Sequence, residues 1–107
     1  VKARDIDIVA CGYCTGEASW QIRNKLADRL LEIEACHPKA KAAEMVAEAA
    51  AGSLRIGALE GDVEEHGAVM SGQAAGLIHS IENVEKRIVD FCRETEAILN
   101  QKHTLGL

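Results

Sequence analysis

At 107 residues, with 12 basic and 17 acidic side chains and a formal net charge of −5, the chain holds at most one domain and lacks the positive surplus that a nucleic-acid backbone requires. Aromatic residues make up 3% of it (Tyr13, Trp20 and Phe91), so Ala, Leu, Ile and Val must supply the core, which favours close-packed helices. The longest uncharged stretch, Gly67 to Ile81, is too short and too polar to span a bilayer, so no membrane partner is expected.

The segment Val1 to Asp5 has no apolar core behind it and no cleavage-like site, and does not read as a signal peptide. The four cysteines, at 11, 14, 36 and 92, are therefore expected as reduced thiols of a cytoplasmic protein rather than a disulfide framework. The absence of a start methionine fits a segment of a longer chain, and fits a processed chain equally.

Asp5 to Ala10 alternates, placing Ile6, Ile8 and Ala10 on one face of a short strand. Cys11 to Gly16 breaks that pattern with two glycines. Helical periodicity is predicted from Ser19, the expected N-cap, with Ile22, Leu26, Leu30 and Ile33 as the buried stripe. Pro38 ends that helix at or before His37. Lys39 to Ala51 predicts a second helix with a small-residue face of Ala42, Val46, Ala49 and Ala50, closed by Gly52. Ser53 to Leu59 adds one or two turns, and Gly61 to Gly67 is a loop or single turn. A short helix capped by Ser71 is expected from Gly72 to Ile81. Asn83 then caps the last helix, whose expected buried stripe is Val84, Ile88, Phe91, Thr95 and Ile98, with a Glu82–Lys86 pair alongside. The tail from Gln101 onward is expected to fray.

Three features could carry chemistry. In Val69 to Leu77, glycines beside a helix start let backbone approach a flat ligand, and Gln73 offers a donor–acceptor amide to a polar rim. On spacing alone, a small-residue helix packed on a neighbour is the commoner meaning of such a run. Cys11-x-x-Cys14 fits a redox pair or half a zinc site, but no second such pair exists, and a structural role weighs more. His66 is closest to the Val69–Leu77 run and reads as a solvated loop histidine. Asp62, Glu64 and Glu65 form an acidic turn that is either solvated or able to hold a cation through oxygen ligands.

The run Gly52 to Leu77 resembles a pattern, G-x-L-R-x-x-x-x-(D/E)-G-D-V-(D/E)…G-S-V-M-A-G-Q-x-A-G-L, of the FMN-dependent enoyl-acyl-carrier-protein reductases. These are relatives of the nitronate monooxygenases and share an FMN-binding TIM barrel. A barrel needs roughly 200 residues or more. The resemblance therefore implies a mainly α segment: a short N-terminal strand, then four to five helices, forming the cap and last helix of such a barrel enzyme. It divides the chain into a strand and Gly/Cys loop (1–16), cap helices (17–60), a flavin-facing loop and helix (61–81) and a terminal helix (82–100). Met70, Ser71, Gly72 and Gln73 would cover the FMN ring. Ser71 stands where the family usually has alanine, and the loop before it is one residue longer. A second, looser match, V-V-T-G-R-S-T-G-H-P-V-R, keeps the glycines at Gly12 and Gly16 but places Trp20 where the family has a basic group.

The implied partners are the absent barrel, a further copy of the chain, NAD(P)H as reductant, and an acyl thioester or a nitronate as substrate. The segment alone is expected to be inactive. The alternatives are a small helical protein-interaction module, or a redox or zinc domain built on Cys11 and Cys14.

Overall fold

The computed structural model describes residues 2–104. Within them the chain is mainly helical, with one small sheet. After a 3-10 turn at Asp5–Asp7, β1 (Ile8–Cys11) runs antiparallel to β2 (Ser19–Ile22), in register Ile8 with Ile22 through Cys11 with Ser19. Between them Gly12 and Gly16 take positive φ around a 3-10 turn at Tyr13–Thr15, so the break expected from the two glycines is a tight strand reversal. Two helices follow, α1 (Lys25–Cys36) and α2 (Lys39–Ala50), then the single turn α3 (Ser53–Arg55), which continues into a π-helical turn at Ile56–Glu60. The long helix α4 (Val84–Thr104) comes last.

The core lies where α1 packs on β1 and on α2, with α2 also against the turn at Tyr13–Thr15. Leu26, Ala27, Leu30 and Ile33 of α1 meet Ala42 and Val46 of α2, Cys11 of β1 and Ala68. The predicted stripe thus holds from Leu26 onward. Its first member does not: Ile22 and Ser19 belong to β2, and the helix starts later, with Asn24 as its N-cap accepting from the Ala27 N–H at 2.9 Å. A tryptophan, a β-branched residue and a four-residue length satisfy the pleat as readily as the helix, and pairing with β1 decides between them. Pro38 stops α1 as expected, with His37 extended. Gly52, at φ +73°, closes α2 in the left-handed conformation that glycine adopts without steric cost.

Two other expectations are corrected. The helix foreseen from Gly72 to Ile81 is a 3-10 turn at Gln73–Leu77, and Ser71 does not cap it, its hydroxyl pointing instead to the Gly72 carbonyl. Asn83 does cap α4, its Oδ1 accepting from the Glu85 N–H at 2.9 Å, and Glu82 pairs with Lys86 at 3.8 Å. The stripe on α4 is nevertheless solvent-facing: Val84 is 72% exposed and Phe91 71%, with Ile88 and Ile98 similarly open. Its apolar period is real, but nothing within residues 2–83 covers it. The helix continues past Gln101 to Thr104; the remainder of the expected frayed tail lies outside the described residues.

Candidate functional site

The strip Val69–Gln73 is held on the free edge of β2. Ile22 N–H donates to the Val69 carbonyl at 2.9 Å, Ser71 N–H donates to the Trp20 carbonyl at 3.1 Å, and Met70 bridges antiparallel to Gln21. The strip is therefore a third, one-bridge strand. Side chains alternate across it: Met70 shares the face of Gln21, while Val69 and Ser71 share that of Ile22 and Trp20. Beyond Ser71 the chain enters the 3-10 turn, where Ala75 is buried and Gly76 lies against Asp5: a Cβ at position 76 would come within 2.9 Å of the Asp5 nitrogen.

Met70, Gly72 and Gln73 are all exposed, Met70 at 49%. A hollow of about 670 Å³ lies between Arg4–Asp5 and Gln73, Ala74, Gly76 and Leu77. The Gln73 side-chain amide and the N–H groups of Gly72, Gln73 and Ala74 have no partner among the described residues. Gly72 is the telling position. Its φ of −92° suits any residue, and a Cβ there would meet nothing within 4 Å. No contact inside the described residues requires glycine at 72. The free Gln73 amide and the N–H donors lie beside it.

The sheet also holds a buried polar group that the sequence did not flag. Gln21 is 1% exposed, and its Oε1 has no hydrogen-bond partner among the described atoms. Its alternation within β2 could have flagged it, since it falls on the core face of a strand, but Ser19–Ile22 reads as helix.

Cys11 and Cys14 are separated in role. Cys11 is buried, its thiol donating to the Ala27 carbonyl at 3.8 Å, and Cys14 is half-buried. Burial pushes both thiols up, and the Glu34 carboxylate adds to the effect on Cys14. Glu34 accepts from the N–H groups of Gly12 at 3.0 Å and Cys14 at 2.8 Å. Burial works against ionising that carboxyl, but these donors outweigh it and hold it below the usual carboxylate range. The Cys-loop N–H groups are thus occupied by a carboxylate, where an activated thiol wants a positive environment. No group of three His, Cys, Asp or Glu able to hold a metal occurs among the described residues.

In the acidic turn, Asp62 accepts from the Glu65 N–H and lies 2.9 Å from His66 Nδ1, so His66 fastens its own loop. Trp20 stands exposed in β2 between Ala10 and Ser71. Among the described residues no helix is long and apolar enough to cross a membrane.

Fold and site together define an edge-docked strip with an open face, flanked by an unpartnered amphipathic helix. The chain is similar to the solved structure of FabK from Thermotoga maritima at 33% identity and TM-score 0.81, over 97% of this chain and 32% of that one. A methionine-to-alanine mutant of that FabK matches at 29% identity and TM-score 0.72, over 97% and 29%. The likeness supports a piece of a FabK-like protein, and the chain spans about a third of the length of these structures. No protein-family model and no curated protein matches it.

Proposed function

We propose that this chain is the cap and terminal helix of an FMN-dependent oxidoreductase of the enoyl-acyl-carrier-protein reductase type, inactive without its barrel. The observation that carries the reading is the exposure of Met70, Gly72 and Gln73, with a glycine at 72 that its own fold does not need. The motif resemblance of Gly52–Leu77 and the likeness to FabK over 97% of the chain support it. FMN, when bound, supplies the transfer of reducing equivalents from NAD(P)H to an enoyl thioester. This chain's part is to cover and orient. Gly72 lets backbone come close, the Gln73 amide and adjacent N–H groups meet ring heteroatoms, and Met70 excludes water with a soft apolar side chain. Trp20, in place of a basic group, offers an apolar surface to whatever approaches beside Ser71.

The test is reconstitution. The isolated chain is expected to bind FMN more weakly than about 100 μM, and tight binding, below about 1 μM, would overturn the proposal. Co-expressed with the barrel portion of a FabK enzyme lacking its own matching segment, the chain is expected to restore NAD(P)H oxidation that depends on an enoyl thioester. Activity with a nitronate and oxygen instead would move the assignment to the nitronate monooxygenase type.

A further inference from the structure

We infer that Asn24 is a positioning residue for the Val69–Gln73 strip, fixing its register on β2; the functional meaning of that strip rests on the flavin reading above, but the register lock does not. Asn24 uses every polar atom of its side chain. Its Oδ1 caps α1 through the Ala27 N–H at 2.9 Å, and its Nδ2 donates to the Gly67 carbonyl at 2.7 Å and to the Val63 carbonyl at 3.0 Å. Those carbonyls bracket the turn 63–66, so one amide clasps both ends of the turn and ties them to the first turn of α1.

The clasp closes a small circuit. From Asn24 the chain runs back two residues to Ile22, whose N–H holds the Val69 carbonyl; from Gly67 it runs forward two residues to that same Val69. Between them Ala68 is buried and its N–H donates to the Ser53 carbonyl at 3.0 Å. Gly67 itself is packed without slack: a Cβ there would overlap the Asp62 carbonyl and lie 2.6 Å from the Gly57 Cα. The strip beyond has two backbone bonds to β2 and one bridge. So short a pairing specifies its register weakly, and a slip of one residue would turn Met70 to the opposite face of the sheet. Other links between α1 and the loop are the backbone bond from Lys25 N–H to the Glu64 carbonyl and the exposed Lys25–Glu65 ion pair, which solvent screens. The half-buried Asn24 amide is the side chain that reaches both ends of the turn and so ties Gly67, and hence Val69, to the start of α1.

Asn24→Asp and Asn24→Ser separate the clasp from the cap, because each keeps an oxygen for the Ala27 N–H and removes both amide donors. In the whole protein, hydrogen–deuterium exchange across residues 63–73 is expected to rise roughly tenfold or more in both variants, in keeping with the loss of two hydrogen bonds that tie the turn to α1. Exchange in α1 and α2 should stay as in the parent. With FMN bound, the visible flavin spectrum should shift and kcat should fall on the order of tenfold, with KM nearly constant. Unchanged exchange in 63–73 overturns the inference, as does a uniform rise across all helices, which would mark a merely structural residue. A local rise with an unaltered flavin spectrum and kcat overturns the positioning role. A local rise in a protein that holds no FMN leaves the register lock standing and sinks the flavin reading instead.

Discussion

Asp62 accepts from the Glu65 N–H at 2.9 Å and from His66 at 2.9 Å, and its carbonyl is the atom a side chain at position 67 would strike. These bonds make it the residue on which the turn before the strip is wound. The Glu65 N–H first, and His66 after it, hold the Asp62 carboxyl below the ordinary aspartate range. The sign follows from linkage. A carboxyl whose folded-state pKa is depressed contributes stability that is present above the unfolded value, about 3.9, and is lost as pH falls through the folded one. The turn at 62–67 is therefore expected to loosen progressively below about pH 4, while the α1–α2 core responds less. Amide exchange at Glu65 and Ala68, followed by NMR from about pH 5 to pH 2, would reveal it. Asp62→Asn keeps an oxygen acceptor but cannot titrate in this range, so its profile should be flat; a parent profile equally flat would show that the carboxylate does not set the turn.

At the level of elements, β2 and α4 show what the amino-acid order does and does not encode. The stripe Leu26, Leu30 and Ile33 is readable because three buried residues at helical spacing have one common solution. Ser19–Ile22 is not, since its pattern suits both periodicities and the deciding partner, β1, lies across a tight turn. The Val69–Leu77 run is recognisable by its small residues, yet the edge position of its first part on β2 depends on long-range bonds with Ile22 and Trp20 that leave no local trace. Asn24 falls inside the helix expected from Ser19, and its clasp on Val63 and Gly67 spans about forty residues and has no periodic signature. On α4 the apolar stripe was legible and its burial was not, because periodicity reports that a face wants covering and says nothing of what covers it. That gap yields an expectation. Ile88→Glu with Phe91→Glu should leave the unfolding free energy of the isolated chain within about 0.5 kcal/mol, because both side chains are exposed there. The same pair should abolish assembly with a barrel. Urea unfolding together with a pull-down against the barrel portion would check both halves, and a large stability loss would mean that α4 is already packed in the isolated chain.

The whole molecule is drawn out, with a radius of gyration of 18.5 Å and extents of 57 × 32 × 20 Å, where a compact chain of this length would have a radius near 13 Å. The excess arises because the α1–α2–sheet body buries its core at one end, while α4 is exposed along Val84–Gln101 apart from half-buried Asp90. Asp90 makes ion pairs with Lys86 at 2.8 Å and Arg93 at 3.0 Å, but surface pairs of this kind contribute little. The Asn83 cap and local propensity remain, and they sustain an unsupported helix only marginally. Protection should therefore be uneven. In the isolated chain, amides of α4 are expected to exchange orders of magnitude faster than those of α1 and α2, whose opening requires breaking the core. Adding a barrel that accepts the Val84, Ile88, Phe91 and Ile98 face should slow α4 exchange and shrink the segment's contribution to the scattering radius, while α1 and α2 change little. Hydrogen exchange by mass spectrometry, run beside small-angle scattering at several concentrations, distinguishes the possibilities. If α4 is as protected as α1 in dilute isolated chain, the helix folds back on its own body. If protection instead grows with concentration alone, a second copy covers the face, and the barrel assignment gives way to self-association.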